Sequence, residues 1–111
     1  MIGDVLEADR LILAGADVDA VDAENRSPLS WAAIQDQVAL GRQLIANGAT
    51  VNHRDLEGKT AVYWSTERNH IACLRMLLAA GANPRIRNHA GTMPVALTDG
   101  DMKLALLIAG G

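Results

Sequence analysis

The chain repeats itself every 33 residues, and this periodicity limits its fold more than any other feature. Gly-Ala-Asp-Val-Asp at residues 15–19 recurs as Gly-Ala-Thr-Val-Asn at 48–52 and begins again as Gly-Ala-Asn at 81–83. Trp31, Trp64 and Leu97 share a later position of the same period. One 33-residue unit cannot bury its apolar face alone, whereas stacked units bury a continuous core. The period therefore predicts a stack of similar units.

Each unit begins with the signals of a short helix. Ser27 and Thr60 can accept a hydrogen bond from a free N–H of the first helical turn, and Pro28 occupies the first helical position, where its missing N–H costs nothing. We expect the first helix of this unit at about residues 28–35. Its alanines favour close approach to a neighbouring helix.

A second helix and a hairpin complete the unit. Ile71, Leu74, Leu77 and Leu78 have helical spacing and predict a buried stripe. Glycines 48 and 81 follow the leucine-rich segments, where a helix end favours a left-handed residue. The sequences at 55–58 and 88–91 are typical of turns and predict hairpin tips. The unit is thus loop, helix, turn and helix.

Composition agrees with an all-α fold. Half of the 111 residues are apolar but only 3% are aromatic, with no Phe, which argues against a β-sandwich. The net charge of −3 argues against a nucleic-acid partner. The longest apolar stretch, 104–109, is too short to span a membrane. With a single cysteine and no visible signal peptide, we expect a cytoplasmic protein.

The pattern resembles the ankyrin repeat, whose signature runs Asp-x-x-Gly-x-Thr-Pro-Leu-His-x-Ala-Ala, with Gly-Ala-Asp-x-Asn after a Leu-Leu run. Residues 22–33 match it best, with Ser27-Pro28-Leu29-Ser30-Trp31-Ala32-Ala33 in the central part. The resemblance implies one all-α domain over 1–111, an ankyrin-repeat α-solenoid of paired antiparallel helices with hairpin loops. Its units are a half repeat or N-terminal cap helix (1–14), two repeats (15–47 and 48–80) and a degenerate C-terminal repeat (81–111).

The chain departs from this signature at several positions. Ser30, Tyr63 and Ala96 replace the family histidine, which predicts weaker hydrogen bonding between repeats. Gly41 lies inside a helix, at a cost of roughly 1 kcal/mol relative to alanine. Met93 occupies the capping position of the third repeat, although Thr92 can cap one residue earlier. We expect that repeat to be the least stable.

The resemblance also implies a non-catalytic module that binds a protein partner through its concave face and hairpin tips. Trp and Tyr are frequent in binding hot spots. All three aromatic residues of the chain lie in the first helices of two consecutive repeats: Trp31 and Trp64 share one position, and Tyr63 precedes Trp64. The alternative for the two tryptophans is that they pack beneath the hairpins. The predicted contact residues lie on the first helices and on the tips: Trp31, Gln35, Leu56, Lys59, Tyr63, Trp64, Glu67, Arg68 and His89.

Nothing in the sequence favours catalysis, a metal site or a cofactor. His53, His70 and His89 do not have metal-ligand spacing, and we expect His70 to be structural. Cys73, placed between apolar residues of a helix, is predicted to be an inert core thiol. Phosphate-binding glycine motifs are absent from the sequence. We therefore expect that the protein is not an enzyme.

Two other functions remain open. The last predicted helix, 101–109, is apolar nearly all round, which favours self-assembly through Leu104, Leu107 and Ile108. Residues 1–25 carry seven acids and one base, so this end of the chain can also attract a basic region of another copy. The third possibility is a small inhibitor or immunity-type protein that blocks an enzyme.

Overall fold

Two helix pairs stack on each other in the computed structural model, which describes residues 17–97. The first pair is α1 (Pro28–Ile34) and α2 (Val38–Ala46), and the second pair is α3 (Ala61–Glu67) and α4 (Ile71–Ala79). A 3₁₀ turn follows at Pro94–Leu97. Helix α1 packs on α3, and α2 packs on α4, so the helices form two layers. The all-α prediction is confirmed, and the described residues contain no strand.

Some predicted features lie outside the described residues. These are the half repeat at 1–14 and the helix at 101–109, including Leu104, Leu107 and Ile108. Within residues 17–97, no helix is both long enough and apolar enough to cross a membrane.

The predicted helix caps are present. Ser27 Oγ accepts from the N–H of Ser30 and Thr60 Oγ1 accepts from the N–H of Tyr63, each at 3.2 Å. Pro28 is the first residue of α1. Helix α3 begins at the corresponding position although Ala61 replaces proline there. Hydroxyl capping is thus shared by both repeats, while the proline is not required.

The helix ends also follow from the sequence. Gly48 and Gly81, which come shortly after α2 and α4, both have φ of +90°, a left-handed conformation that costs glycine nothing. Each of these glycines donates its N–H to a carbonyl in the last turn of the preceding helix. These bonds turn the chain out of the layer formed by α2 and α4 and toward the next hairpin.

The core lies between the two layers and between the two pairs. Leu74 and Leu77 of α4 are completely buried, and Ile71 and Leu78 are partly buried against the same core, as the helical stripe predicts. Ala32 and Ala33 of α1 are also completely buried. Their small side chains let α1 lie close to its neighbours, which accounts for the abundance of alanine.

Gly41 has a packing role that the sequence did not show. A methyl group added at this position would overlap the side-chain end of Met76. The glycine in α2 therefore makes room for Met76 of α4, which is 9% exposed. The contact packs α2 against α4 at this position.

The three hairpins share one internal hydrogen-bond pattern. Asp22, Asp55 and Asn88 each accept, through Oδ1, the backbone N–H groups of the residues two and four positions later, at 2.9 Å. The residue three positions later is left-handed in every case: Asn25 (φ 62°), Gly58 (φ 78°) and Gly91 (φ 85°). The turns predicted for 55–58 and 88–91 are confirmed, and the first hairpin has the same pattern.

Neighbouring hairpins are joined directly by their backbones. The N–H of Leu56 donates to the carbonyl of Glu24 at 3.0 Å, and that of His89 donates to the carbonyl of Glu57 at 2.8 Å. We call this series of bonds the hairpin ladder. His70 adds a link between helix pairs, because its Nδ1 lies 2.9 Å from the carbonyl oxygen of Ala33.

Although the family histidine is replaced, the described part of the chain keeps hydrogen bonds between its repeats. The backbone ladder does not depend on the side chain at the family histidine position. Tyr63, one of the replacements, makes its own link, since its hydroxyl accepts a hydrogen bond from Asn88 Nδ2 at 3.0 Å. The remaining expectation, that the third repeat is the least stable, stays a prediction.

Candidate functional site

A tryptophan is fixed beneath the first hairpin by an acid and a base. Trp31 Nε1 donates to Asp22 Oδ2 at 2.8 Å, and the same carboxylate oxygen lies 3.2 Å from Arg26 Nε. The Arg26 guanidinium is stacked 4.6 Å from the centre of the indole ring. Arg26 also pairs with Glu24 at 2.9 Å. The indole thus connects α1 to the tip above it.

The second hairpin repeats this arrangement with lysine in place of arginine. Trp64 Nε1 donates to Asp55 Oδ2 at 3.0 Å, and Lys59 Nζ lies 4.4 Å from the indole centre. Lys59 pairs with Glu57 at 3.2 Å and with Glu67 at 3.4 Å. Asp55 is only 5% exposed, so its carboxylate depends on these hydrogen bonds.

The third hairpin lacks all three parts of this cluster. Asn88, Thr92 and Leu97 occupy the positions of the acid, the base and the tryptophan. Leu97 is 36% exposed in the 3₁₀ turn. The side of the second hairpin that faces the third repeat is therefore bordered by smaller and less charged groups.

The aromatic residues support the tips from below. Tyr63 and Trp64 are 5% and 6% exposed, and Trp31 is half-buried. The sequence left two interpretations of the aromatic residues open, a binding patch and packing beneath the hairpins; the structure shows the packing arrangement for Tyr63 and Trp64. The physical reason is the buried indole N–H, which finds its acceptor in the hairpin aspartate and draws the ring inward.

An open groove of about 450 Å³ lies between the second and third tips. Its side chains are contributed by both hairpins and by α3: Leu56, Glu57, Lys59, Tyr63, Asn88, His89 and Ala90. Leu56 is 61% exposed at the rim, and His89 is exposed opposite it. The groove offers apolar surface, both signs of charge and the hydrogen-bonding groups of Tyr63 and Asn88.

The structure brings only part of the predicted set to this groove, namely Leu56, Lys59, Tyr63 and His89. Trp64 lies under Lys59, Glu67 pairs with Lys59, and Arg68 stacks 5.7 Å from the Trp64 ring. Trp31 lies one repeat away on α1, and the exposed Gln35 directly follows the end of that helix.

The groove also contains residues outside the predicted set. Asn88 was missed because it is a turn residue by position, and its contact with Tyr63 joins residues 25 apart in sequence. The 33-residue register supplied a usable signal, since it aligns Asn88 with Asp55 and places both at the base of a tip. Glu57 has the same type of signal, as a charged tip residue next to the exposed Leu56.

Two charged groups beneath the tips, the Asp22 carboxylate and the Lys59 ammonium, are held in their ionised forms. Burial lowers the pKa of Lys59, but hydrogen bonding to Glu57 and the charge of Glu67 outweigh burial, and the pKa lies above its usual value. For Asp22, burial raises the pKa. Hydrogen bonds from the N–H of Arg26 and from the Trp31 indole lower it by a larger amount, so the pKa lies below its usual value. Asp22 and Lys59 therefore keep their charges at neutral pH.

Other candidate groups have structural surroundings. Cys73 is a completely buried free thiol, and burial together with the charge of Asp36 raises its pKa to about 11. A thiol of this kind is a poor nucleophile at neutral pH. His53 Nε2 lies 2.7 Å from the carbonyl oxygen of Asn25, in the loop of the first hairpin. Residues 17–97 contain no group of three or more metal-ligating side chains.

Comparison with known proteins agrees with the repeat geometry. Among curated proteins, none matches the chain. A family model described as ankyrin repeats (3 copies) matches residues 3–88. This match covers most of the chain and includes both helix pairs and the first two hairpin tips; it ends at Asn88, where the third tip begins. The chain belongs to the ankyrin-repeat family, whose members are generally protein–protein interaction modules.

Proposed function

We propose that this protein is a non-catalytic interaction module whose partner binds across the hairpin tips and in the groove between the second and third tips. The observation that carries this proposal is the exposure of Leu56 at the rim of that groove, 61%, on a tip fixed to its neighbours by the ladder. A preformed surface loses little conformational entropy on binding, which favours affinity.

The chemistry of the groove favours a protein over a small ligand. Leu56 supplies an apolar contact at the rim, and Glu57 and Lys59 supply charges of both signs within one tip. Protein interfaces typically combine apolar contacts with polar and charged groups. In this proposal Tyr63 and Trp64 act from below, because they hold the tip and Lys59 in place.

The partner is to be captured from a lysate of the native host, identified by mass spectrometry and titrated by calorimetry against purified variants. Leu56→Asp should weaken binding by about tenfold or more, because a charge replaces the apolar rim contact. Its matched control is Val21→Asp, since Val21 is also exposed, at 47%, but does not line the groove.

Val21→Asp should bind within about twofold of the unmodified chain. Equal losses in both variants, or full affinity of Leu56→Asp, would reject the groove as the binding site. Circular dichroism of both variants checks that the helices are retained.

A further inference from the structure

The hairpin ladder has two open edges in the described part of the chain. Each tip-to-tip bond joins a donor N–H to the carbonyl of the residue that lies 32 positions earlier. One period beyond the last bond, the carbonyl of Ala90 stands in the acceptor position. One period before the first bond, the N–H of Ala23 stands in the donor position. Neither group has a hydrogen-bond partner within residues 17–97.

A second series of hydrogen bonds between repeats, which we call the rung, ends at the same two edges. The Asp19 carboxylate accepts from the N–H of Thr50 at 2.9 Å and from its hydroxyl at 2.8 Å. In the next repeat, Asn52 Oδ1 accepts from the N–H of Asn83 at 2.8 Å. Both contacts join a residue to the one 31 positions later, in the following repeat.

The same register places opposite charges at the two edges of this rung. Arg85 occupies the position of Asp19 and Asn52, while Asp17 occupies the position of Thr50 and Asn83. Both Arg85 and Asp17 are exposed. If a second copy of the first hairpin followed the third one, the guanidinium of Arg85 would face the carboxylate of Asp17 at the next position of this rung.

The balance of charge also changes along residues 17–97, from acidic in the first repeat to basic in the third. Residues 17–47 carry five acids and two bases, whereas residues 81–97 carry Arg85 and Arg87 and no acid. Within the described residues, neither of these arginines forms an ion pair; Arg87 Nη1 donates only to the carbonyl of Gly91, at 2.9 Å. Within residues 17–97, the first edge is therefore acidic and the last edge is basic.

We propose that a second copy of this chain docks head to tail on the hairpin ladder, with Arg85 of one copy facing Asp17 of the next. The Ala90 carbonyl of the first copy then accepts from the Ala23 N–H of the second. This contact lies at the two edges of the stack and shares only Ala90 with the lining of the proposed partner groove. Because the two contacting surfaces differ, the association is open-ended and grows with concentration.

A charge-exchange experiment tests this arrangement. In sedimentation velocity, the unmodified chain should show association that rises with concentration and weakens with added salt. Arg85→Asp and Asp17→Arg should each weaken self-association by about tenfold, since like charges then meet at the rung. An equimolar mixture of the two variants should restore association, because each variant supplies the charge that the other lacks.

Two further variants serve as controls. Arg75→Asp makes the same charge change on α4, away from the ladder, and should associate like the unmodified chain. Asp17→Asn removes the charge but keeps the local turn, because Asn83 already makes the equivalent bond, accepting from the N–H of Arg85 at 2.9 Å. It should show intermediate association, and it remains informative if Asp17→Arg fails to fold.

Three results would overturn the proposal. The first is a chain that stays monomeric at about 1 mM, because a contact with a dissociation constant below that concentration would then be populated. The second is equal weakening by Arg75→Asp and Arg85→Asp, which would indicate non-specific charge effects. The third is an equimolar mixture that remains dissociated although both variants are folded.

Discussion

At the scale of single residues, the two tryptophans do the same task in different surroundings. Each indole donates to a hairpin aspartate, but Asp55 is 5% exposed while the side chain of Asp22 is 29% exposed. Water can replace a lost partner at Asp22 far more easily than at Asp55. The cost of losing the indole N–H should therefore differ between the two positions.

We expect Trp64→Phe to lower the free energy of unfolding by about 1–3 kcal/mol more than Trp31→Phe, because it leaves the buried Oδ2 of Asp55 without its donor. The two substitutions remove the same atoms, so each serves as the control for the other. Urea unfolding followed by circular dichroism at 222 nm measures the difference. Equal losses would contradict the assigned role of the Asp55–Trp64 bond.

The buried thiol of Cys73 gives a second prediction at this scale. Its pKa of about 11 leaves almost no thiolate at pH 8, and its side chain is completely buried. Labelling by a disulfide reagent should be slow in the folded protein and should become fast in denaturant. Rapid labelling of one thiol per chain under native conditions would show that α4 does not bury this residue.

At the scale of helices and hairpins, capping decides where the first helix of each repeat begins. Thr60→Ala should destabilise the protein by about 1 kcal/mol, because the N–H of Tyr63 loses its acceptor. Thr60→Ser keeps the hydroxyl and is the matched control. Thermal unfolding followed by circular dichroism compares them, and an alanine variant as stable as the serine variant would contradict the capping role.

Most of the described elements could be predicted from local sequence. Ser27, Pro28 and Gly48 specify a helix start or a helix end through their own chemistry, and the 33-residue period repeats those instructions. The direct bond between Glu24 and Leu56 could not be predicted in this way, because any residue carries the same backbone groups. It depends on how closely two hairpins stack.

The candidate site was predicted less completely for a related reason. Leu56 and His89 were identified because tip residues are exposed in any hairpin of this length. The inward position of Trp64 depends on a hydrogen bond to Asp55, nine residues earlier, and the aromatic pattern alone does not distinguish a buried ring from an exposed one. The groove next to Tyr63 also requires the third hairpin, whose own tryptophan position holds Leu97.

At the scale of the whole molecule, the ladder makes the tips into one surface. The links through Glu24 and Glu57 hold three hairpins in a fixed order, and both proposals use that order. The partner site needs the second and third tips side by side. The head-to-tail contact needs an open donor at one edge of the ladder and an open acceptor at the other.

Amide hydrogen exchange of the dilute protein, resolved by residue, tests this ladder most directly. The N–H groups of Leu56 and His89 should exchange about 100-fold more slowly than the equivalent N–H of Ala23, after correction for intrinsic rates, because only the first two have acceptors in a neighbouring tip. Exchange of Leu56 and His89 as fast as that of Ala23 would contradict the ladder and, with it, the fixed surface on which the proposed function depends.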